Sequence, residues 1–281
     1  MSTGRNTRHL PSIPFDRERI IVSCDLATTV AASDTLVVAV PSVYVADVLR
    51  QLPQDAYAGK RIVSAVKGYV PQEGLSISQF VNREFHVSDN NFCVISGPSH
   101  AEEVAEGLPT FLSVASHNSI LAYEVAKMIH CRYIHTSVSD EVHTLEFNGL
   151  AKNIYAVAAG VAVGIGYGDN TVSMLIAAAA RELHNLLPDS QLHYHLLGDL
   201  MVTCFSRHSR NRALGEAVAG GESISEYFRR TGMVAEGYYS AAAMHNMPLP
   251  CPIPIAEAVY RILHEGASPR QEVEHLIDTA I

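Results

Sequence analysis

The stretch LEFNGLAKNIYAVAAGVAVG, residues 145–164, places the tightest limit on what this chain can fold into. It is too long for one strand and almost wholly small and apolar, which describes a helix buried on all sides. Yet it carries Lys152 beside Asn153. One explanation is a lysine that runs its stem along apolar surface and surfaces its ammonium. The other is a desolvated amine whose pKa sinks toward neutrality, where it can give and take a proton. The stretch alone leaves both open.

The patterning differs on the two sides of about residue 138. Before it, short β-branched runs predict strands: RIIVSC (19–24), TLVVAV (35–40), RIVSAV (61–66), FCVIS (92–96), TFLSVA (110–115) and YIHTSV (133–138). Amphipathic segments such as SVYVADVLRQL and HAEEVAEG lie between them. Alternation of this kind predicts a mostly parallel sheet with helices on its faces. After it, alanine-rich periodic runs follow one another without a convincing strand. A chain of 281 residues can hold two moderate cores. The expectation is an α/β domain over 1–138 and an all-helical domain over 139–281, with a site in the cleft between them.

Several classes of function are disfavoured. A net charge of −9 argues against a general nucleic-acid surface. No segment reads as a membrane span, and MSTGRNTRHLPSIPF is too polar and proline-broken for a signal peptide. Five scattered cysteines without a C-x-x-C pair suit a reducing compartment, so a cytoplasmic location is expected. His193, His195 and Asp199 suggest a metal site, but only His195 and Asp199 are spaced to share a helix face, and no metal is expected. A glycine-rich phosphate loop should follow a first strand. The one dense cluster, GIGYGDN, follows a helical run and has Asp169 at the third glycine position, so it reads as a helix end and a turn.

NTRHLP, DTLVVAVPS, SAVKGYV, VISGPSHAEEV, GLAKNIYAVAAGV, GYGDN, GDLMVTCFSRHSRNRALG, MVAEGYYSA and PIPIAEAVY occur in that order. Together they resemble the NAD(P)-dependent glycerol-3-phosphate dehydrogenases, in particular the bacterial type, over nearly the whole chain. The resemblance implies a Rossmann-like sheet domain, incomplete at its start, ahead of the helical domain. It implies hydride transfer between NAD or NADP and the pair dihydroxyacetone phosphate and sn-glycerol 3-phosphate, supplying phospholipid synthesis, and a possible homodimer. The family's opening strand, its G-x-G-x-x-G loop and the following helix have no counterpart, so the chain is expected to start late. A second reading, of another class, is a truncated non-catalytic chain with weak or no dinucleotide binding that holds a phosphorylated ligand or a partner subunit.

By the same resemblance Lys152 is the acid/base residue, and Asn153, beside it at a helix start, meets the substrate. Lys67, placed at the end of its strand, touches substrate and cofactor. Gly97 and Ser99 of SGPS offer amide and hydroxyl groups to the substrate, and Ala101 meets the cofactor. Asp199 and Thr203, four apart on one helix face, hold the substrate and orient Lys152. Ser209, Arg210 and Asn211 grip the phosphate, a task that suits the planar fork of arginine. Arg210, Val234 and Glu236 also meet the cofactor.

Overall fold

The computed structural model describes residues 5–6, 10–16, 18–187 and 194–281. Strands β1 (Arg5–Asn6) and β2 (Leu10–Pro14) pair antiparallel. Helix α1 (Leu26–Ala31) leads into β3 (Thr35–Val38), α2 (Val45–Leu49), β4 (Arg61–Ser64) and α3 (Ile77–Phe85). Then come β5 (Phe92–Ser96), α4 (Ala101–Ala105), β6 (Thr110–Ala115), α5 (Ser119–Ile129) and β7 (Ile134–Ser139). Everything beyond is helical: α6 (Val142–Gly164), α7 (Asp169–Leu186), α8 (Tyr194–Phe205), α9 (Arg210–Ala219), α10 (Ile224–Thr231), α11 (Glu236–His245), α12 (Pro254–Tyr260) and α13 (Pro269–Thr279).

The main sheet has the order β3-β4-β5-β6-β7. Its pairs are parallel except β5–β6, which is antiparallel, with Val94 opposite Ala115. Both faces are covered, so its central strands read as unbroken apolar runs. Ile62 and Phe92 turn to one face with Phe80 of α3, and Val63 and Cys93 to the other with Leu121 and Val125 of α5. One expected strand does not form. Residues 19–24 are irregular, because the run has no strand to pair with and leaves Ile21 92% exposed. Asp25 instead caps α1, accepting from the Thr28 amide.

Helix α6 is the axis of the second half. Every residue from Thr144 to Ala162 is buried. It packs against α7, α8, α9, α11 and α12, and its first turns also meet β5. Lys152 and Asn153 lie in its third turn, not at a helix start as the sequence suggested. The α6–α9 crossing is close because two glycines meet there. A Cβ on Gly160 would fall 2.0 Å from the Arg212 carbonyl oxygen, and one on Gly215 2.2 Å from that of Val157. Among the described residues no helix is long and apolar enough to cross a membrane.

Candidate active site

Parallel strands deliver their carboxyl ends to one edge of the sheet, where ligands of open α/β folds bind. The segments after β3, β4 and β5 bring Ser42, Lys67 and Gly97 there, and α6, α8 and α11 face them from the other half. Lys67 lies three residues beyond β4 rather than at its last position. Gly97 requires its residue type: φ is +137°, and a Cβ would sit 2.3 Å from the Phe111 carbonyl oxygen.

Lys152 is 2% exposed and Asp199 1%. The Lys152 Nζ donates to Asp199 Oδ1. The other carboxylate oxygen, Oδ2, accepts from Ser96 Oγ at 3.2 Å and from the Gly97 amide at 3.3 Å. The Lys67 ammonium approaches to 3.8 Å of Asp199 Oδ1 and donates to the Gly97 carbonyl at 3.3 Å. Burial is the largest influence on Lys152. Against the lift from Asp199 and with help from the Lys67 cation, it lowers the ammonium to about 7. Burial alone would raise Asp199, but the cations of Lys152 and Lys67 outweigh it and hold the carboxyl below its ordinary value. The site therefore has an ionised carboxylate, a second cation and an amine poised to titrate near neutrality. Two ammonium groups against one carboxylate leave surplus positive charge for an anionic ligand.

A ladder of amides braces this centre. Asn153 Nδ2 donates to the carbonyls of Lys67 and Gly149, each at 2.8 Å. Its Oδ1 accepts from Asn211 Nδ2 at 2.8 Å, and Asn211 Oδ1 accepts from the Gly237 amide at 2.8 Å. Asn153 thus ties the segment after β4 to α9 and α11 through one side chain. Ser209 is the N-cap of α9 and accepts from the Arg212 amide. Arg210, in the first turn of that helix, is exposed and forms no ion pair among the described residues. Thr203 Oγ1 donates to the Asp199 carbonyl at 2.6 Å, one turn back along α8.

Glu236 closes the side toward β3. Its carboxylate accepts from the Ser42 amide at 2.9 Å and from the Ser42 hydroxyl at 2.5 Å. Burial pushes its carboxyl upward, partly offset by those bonds and by Arg210. Gly68 lets the backbone pack closely against the pair of Ser42 and Glu236. A Cβ there would lie 3.1 Å from Glu236 Oε2 and 3.2 Å from Ser42 Oγ. Ser99 Oγ donates to the Gly97 carbonyl at 3.0 Å. Ala101 opens α4 and is exposed, and Val234 is half-buried in the turn before α11.

Of the residues expected from sequence, Lys67, Gly97, Lys152, Asn153, Asp199 and Asn211 are joined by direct hydrogen bonds or ion pairs, with Thr203 and Ser99 attached at the rim. Ser96 and Ser42 were not singled out, although both stand in the motifs SGPS and VPS at strand ends. Ser96 holds Asp199 and Ser42 holds Glu236, and a hydroxyl at or just past the end of a buried strand is the signal that could have found them. His193, residues 7–9 of NTRHLP and the opening Met1 to Gly4 lie outside the described residues.

Two family models cover the chain. One described as NAD-dependent glycerol-3-phosphate dehydrogenase N-terminus matches residues 1–135, and one described as the C-terminus of the same enzyme matches 141–274. The glycerol-3-phosphate dehydrogenase (NAD(P)+) 1 of Salinibacter ruber is 35% identical over 98% of this chain and 83% of its own length. The enzyme of that name from Syntrophomonas wolfei is 35% identical over 97% and 82%. A crystal structure of glycerol-3-phosphate dehydrogenase from Coxiella burnetii superposes with a TM-score of 0.89 at 30% identity, covering 99% of this chain and 86% of that one.

Proposed function

Because the chain belongs to the NAD-dependent glycerol-3-phosphate dehydrogenase family, we propose that it interconverts dihydroxyacetone phosphate and sn-glycerol 3-phosphate with Lys152 as its acid/base residue. It is an oxidoreductase using NAD or NADP. The observation that carries the assignment of Lys152 is its burial beside Asp199, with the amine lowered to about 7. When bound, the nicotinamide supplies the hydride for the ketone carbon. In that direction Lys152 gives a proton to the carbonyl oxygen as it becomes a hydroxyl, and in the reverse direction it takes that proton back. Asp199 holds the amine in place and can accept from a substrate hydroxyl. Lys67 balances charge and meets substrate and cofactor.

The substrate phosphate goes to the start of α9. Ser209 and the first-turn amides face it there, Arg210 offers its planar guanidinium, and Asn211 fixes the helix through the amide ladder. A nicotinamide fits on the sheet side of the same cleft. The bare backbone of Gly68 packs against the bonded pair of Ser42 and Glu236, where a Cβ would crowd both, so a flat ring can approach this wall closely. Lys67, Ala101, Arg210, Val234 and Glu236 would line that side, with Gly97, Ser99, Asn153 and Thr203 toward the substrate. The join of the two halves near residue 138, the homodimer and the cytoplasmic location belong to the same reading.

The reaction is tested by mixing the purified protein with dihydroxyacetone phosphate and NADH or NADPH and following loss of the reduced nicotinamide. Turnover of dihydroxyacetone phosphate well above that of short keto acids is expected. Equal or better turnover of keto acids would overturn the substrate assignment.

A further inference from the structure

Close to the proposed phosphate site, one side chain has a polar atom that the protein leaves unsatisfied. His100 Nε2 is fully covered, yet among the described residues it has no hydrogen-bond partner. An imidazole nitrogen buried in that way is costly unless something completes it, so its partner is to be sought in a ligand.

The position of the ring says which ligand. His100 is the N-cap residue of α4, directly after Ser99. Its ring faces that of His208 across the junction of the two halves, with centroids 6.0 Å apart and planes inclined by 57°. His208 immediately precedes Ser209 and Arg210, so the ring of His100 lies near the start of α9. The carbonyl end of the cleft, at Lys152 and Asp199, is already served by donors. Burial first, and then the Lys67 cation, lower His100 below the usual histidine value, against a smaller pull from Glu102 and Glu103. At neutral pH the ring is uncharged and has one N–H to give. A phosphate has only oxygen acceptors to offer and matches that donor.

We propose that His100 is a substrate-binding residue whose Nε2–H donates to the phosphate of the three-carbon substrate, so that the phosphate is gripped from both halves of the chain. The inference deepens the reading given above and rests on it.

The test compares the wild-type protein with His100→Phe, which keeps a ring of similar size, and His100→Gln, which returns an N–H donor. Steady-state constants are measured for dihydroxyacetone phosphate and for unphosphorylated dihydroxyacetone, and calorimetry follows binding of glycerol 3-phosphate. His100→Phe is expected to raise KM for the phosphorylated ketone and Kd for glycerol 3-phosphate by about tenfold, leaving kcat within about twofold. Its kcat/KM for dihydroxyacetone should be unchanged, and His100→Gln should recover most of the lost affinity. Equal losses on both ketones, a fall confined to kcat, or unchanged phosphate affinity would each overturn the inference. Wild-type protein that fails to turn over dihydroxyacetone phosphate would overturn the underlying reading instead, and the inference with it.

Discussion

Lys152 and Asp199 illustrate how a costly burial becomes useful chemistry. Removing both charges from water costs several kcal/mol each, and the attraction between them offsets this only where the remaining oxygens and protons are also satisfied. Here Ser96 and the Gly97 amide occupy the second carboxylate oxygen, while Lys152 donates to the first. The carboxylate also sets where the amine titrates. With Lys152 as the proposed acid, reduction of the ketone needs the protonated amine, so its rate is expected to fall as pH rises through the lysine pKa. Asp199 raises that pKa, while burial and Lys67 lower it. Replacing Asp199 by Asn removes the lift, so the fall in kcat for reduction should move to lower pH than the wild-type fall near 7. The kcat–pH profile of D199N checks this, and an unmoved midpoint would count against the pairing.

Between elements, buried carboxylates do the joining. Glu146 of α6 accepts from the Ser78 amide at 2.9 Å and from its hydroxyl at 2.5 Å, so it holds the first turn of α3. Glu182 of α7 does the same for α12, accepting from Ile255 and Ala256 amides at 2.9 and 3.2 Å and from the Tyr155 hydroxyl at 3.2 Å. Substituting Glu182 by Ala strands these donors and should cost about 2–4 kcal/mol, read as a lowered denaturation midpoint. Burial lifts the Glu182 carboxyl to about 7 from an ordinary 4.5. Between those values the folded state holds a proton that the unfolded state has released. The contribution of Glu182 therefore weakens as pH rises from 4.5 through 7, a slope that Glu182→Gln should abolish in melts compared at the two ends of that range. Neither role was legible beforehand, because a glutamate in a helical pattern ordinarily faces water and its helix-end partner is distant in sequence. Strands bounded by turn residues were legible: Phe92–Ser96 and Thr110–Ala115 form where expected. The run at 19–24 misled because β-branched composition reports a preference for extended backbone, whereas a strand also needs a neighbour. The antiparallel direction of β6 was equally hidden, since local patterning says nothing of strand polarity.

Across the whole molecule, the site exists only where the two halves meet. Ser42 to Glu236, Lys67 to Asn153 and Gly97 to Asp199 all cross from the sheet to the helical half. The residue types of this centre were readable from ordered motifs, but not their contacts. The amide ladder through Asn153 and the clasp of Ser42 on Glu236 depend on how α6, α9 and α11 stack. Overall charge is −9, yet the junction sets two cations, Lys67 and Lys152, against Asp199, a local surplus of positive charge that would draw a phosphorylated substrate to an acidic protein. What the two halves are arranged around is a buried amine. The most direct measurement is kcat for dihydroxyacetone phosphate reduction by Lys152→Met, a change that fills the same space without a proton to give. Circular dichroism and melting would confirm an intact fold, since Asp199 keeps Ser96, the Gly97 amide and Lys67. A drop of about 10²–10⁴-fold in kcat in a folded protein is the predicted result. Turnover at the wild-type rate would contradict the account.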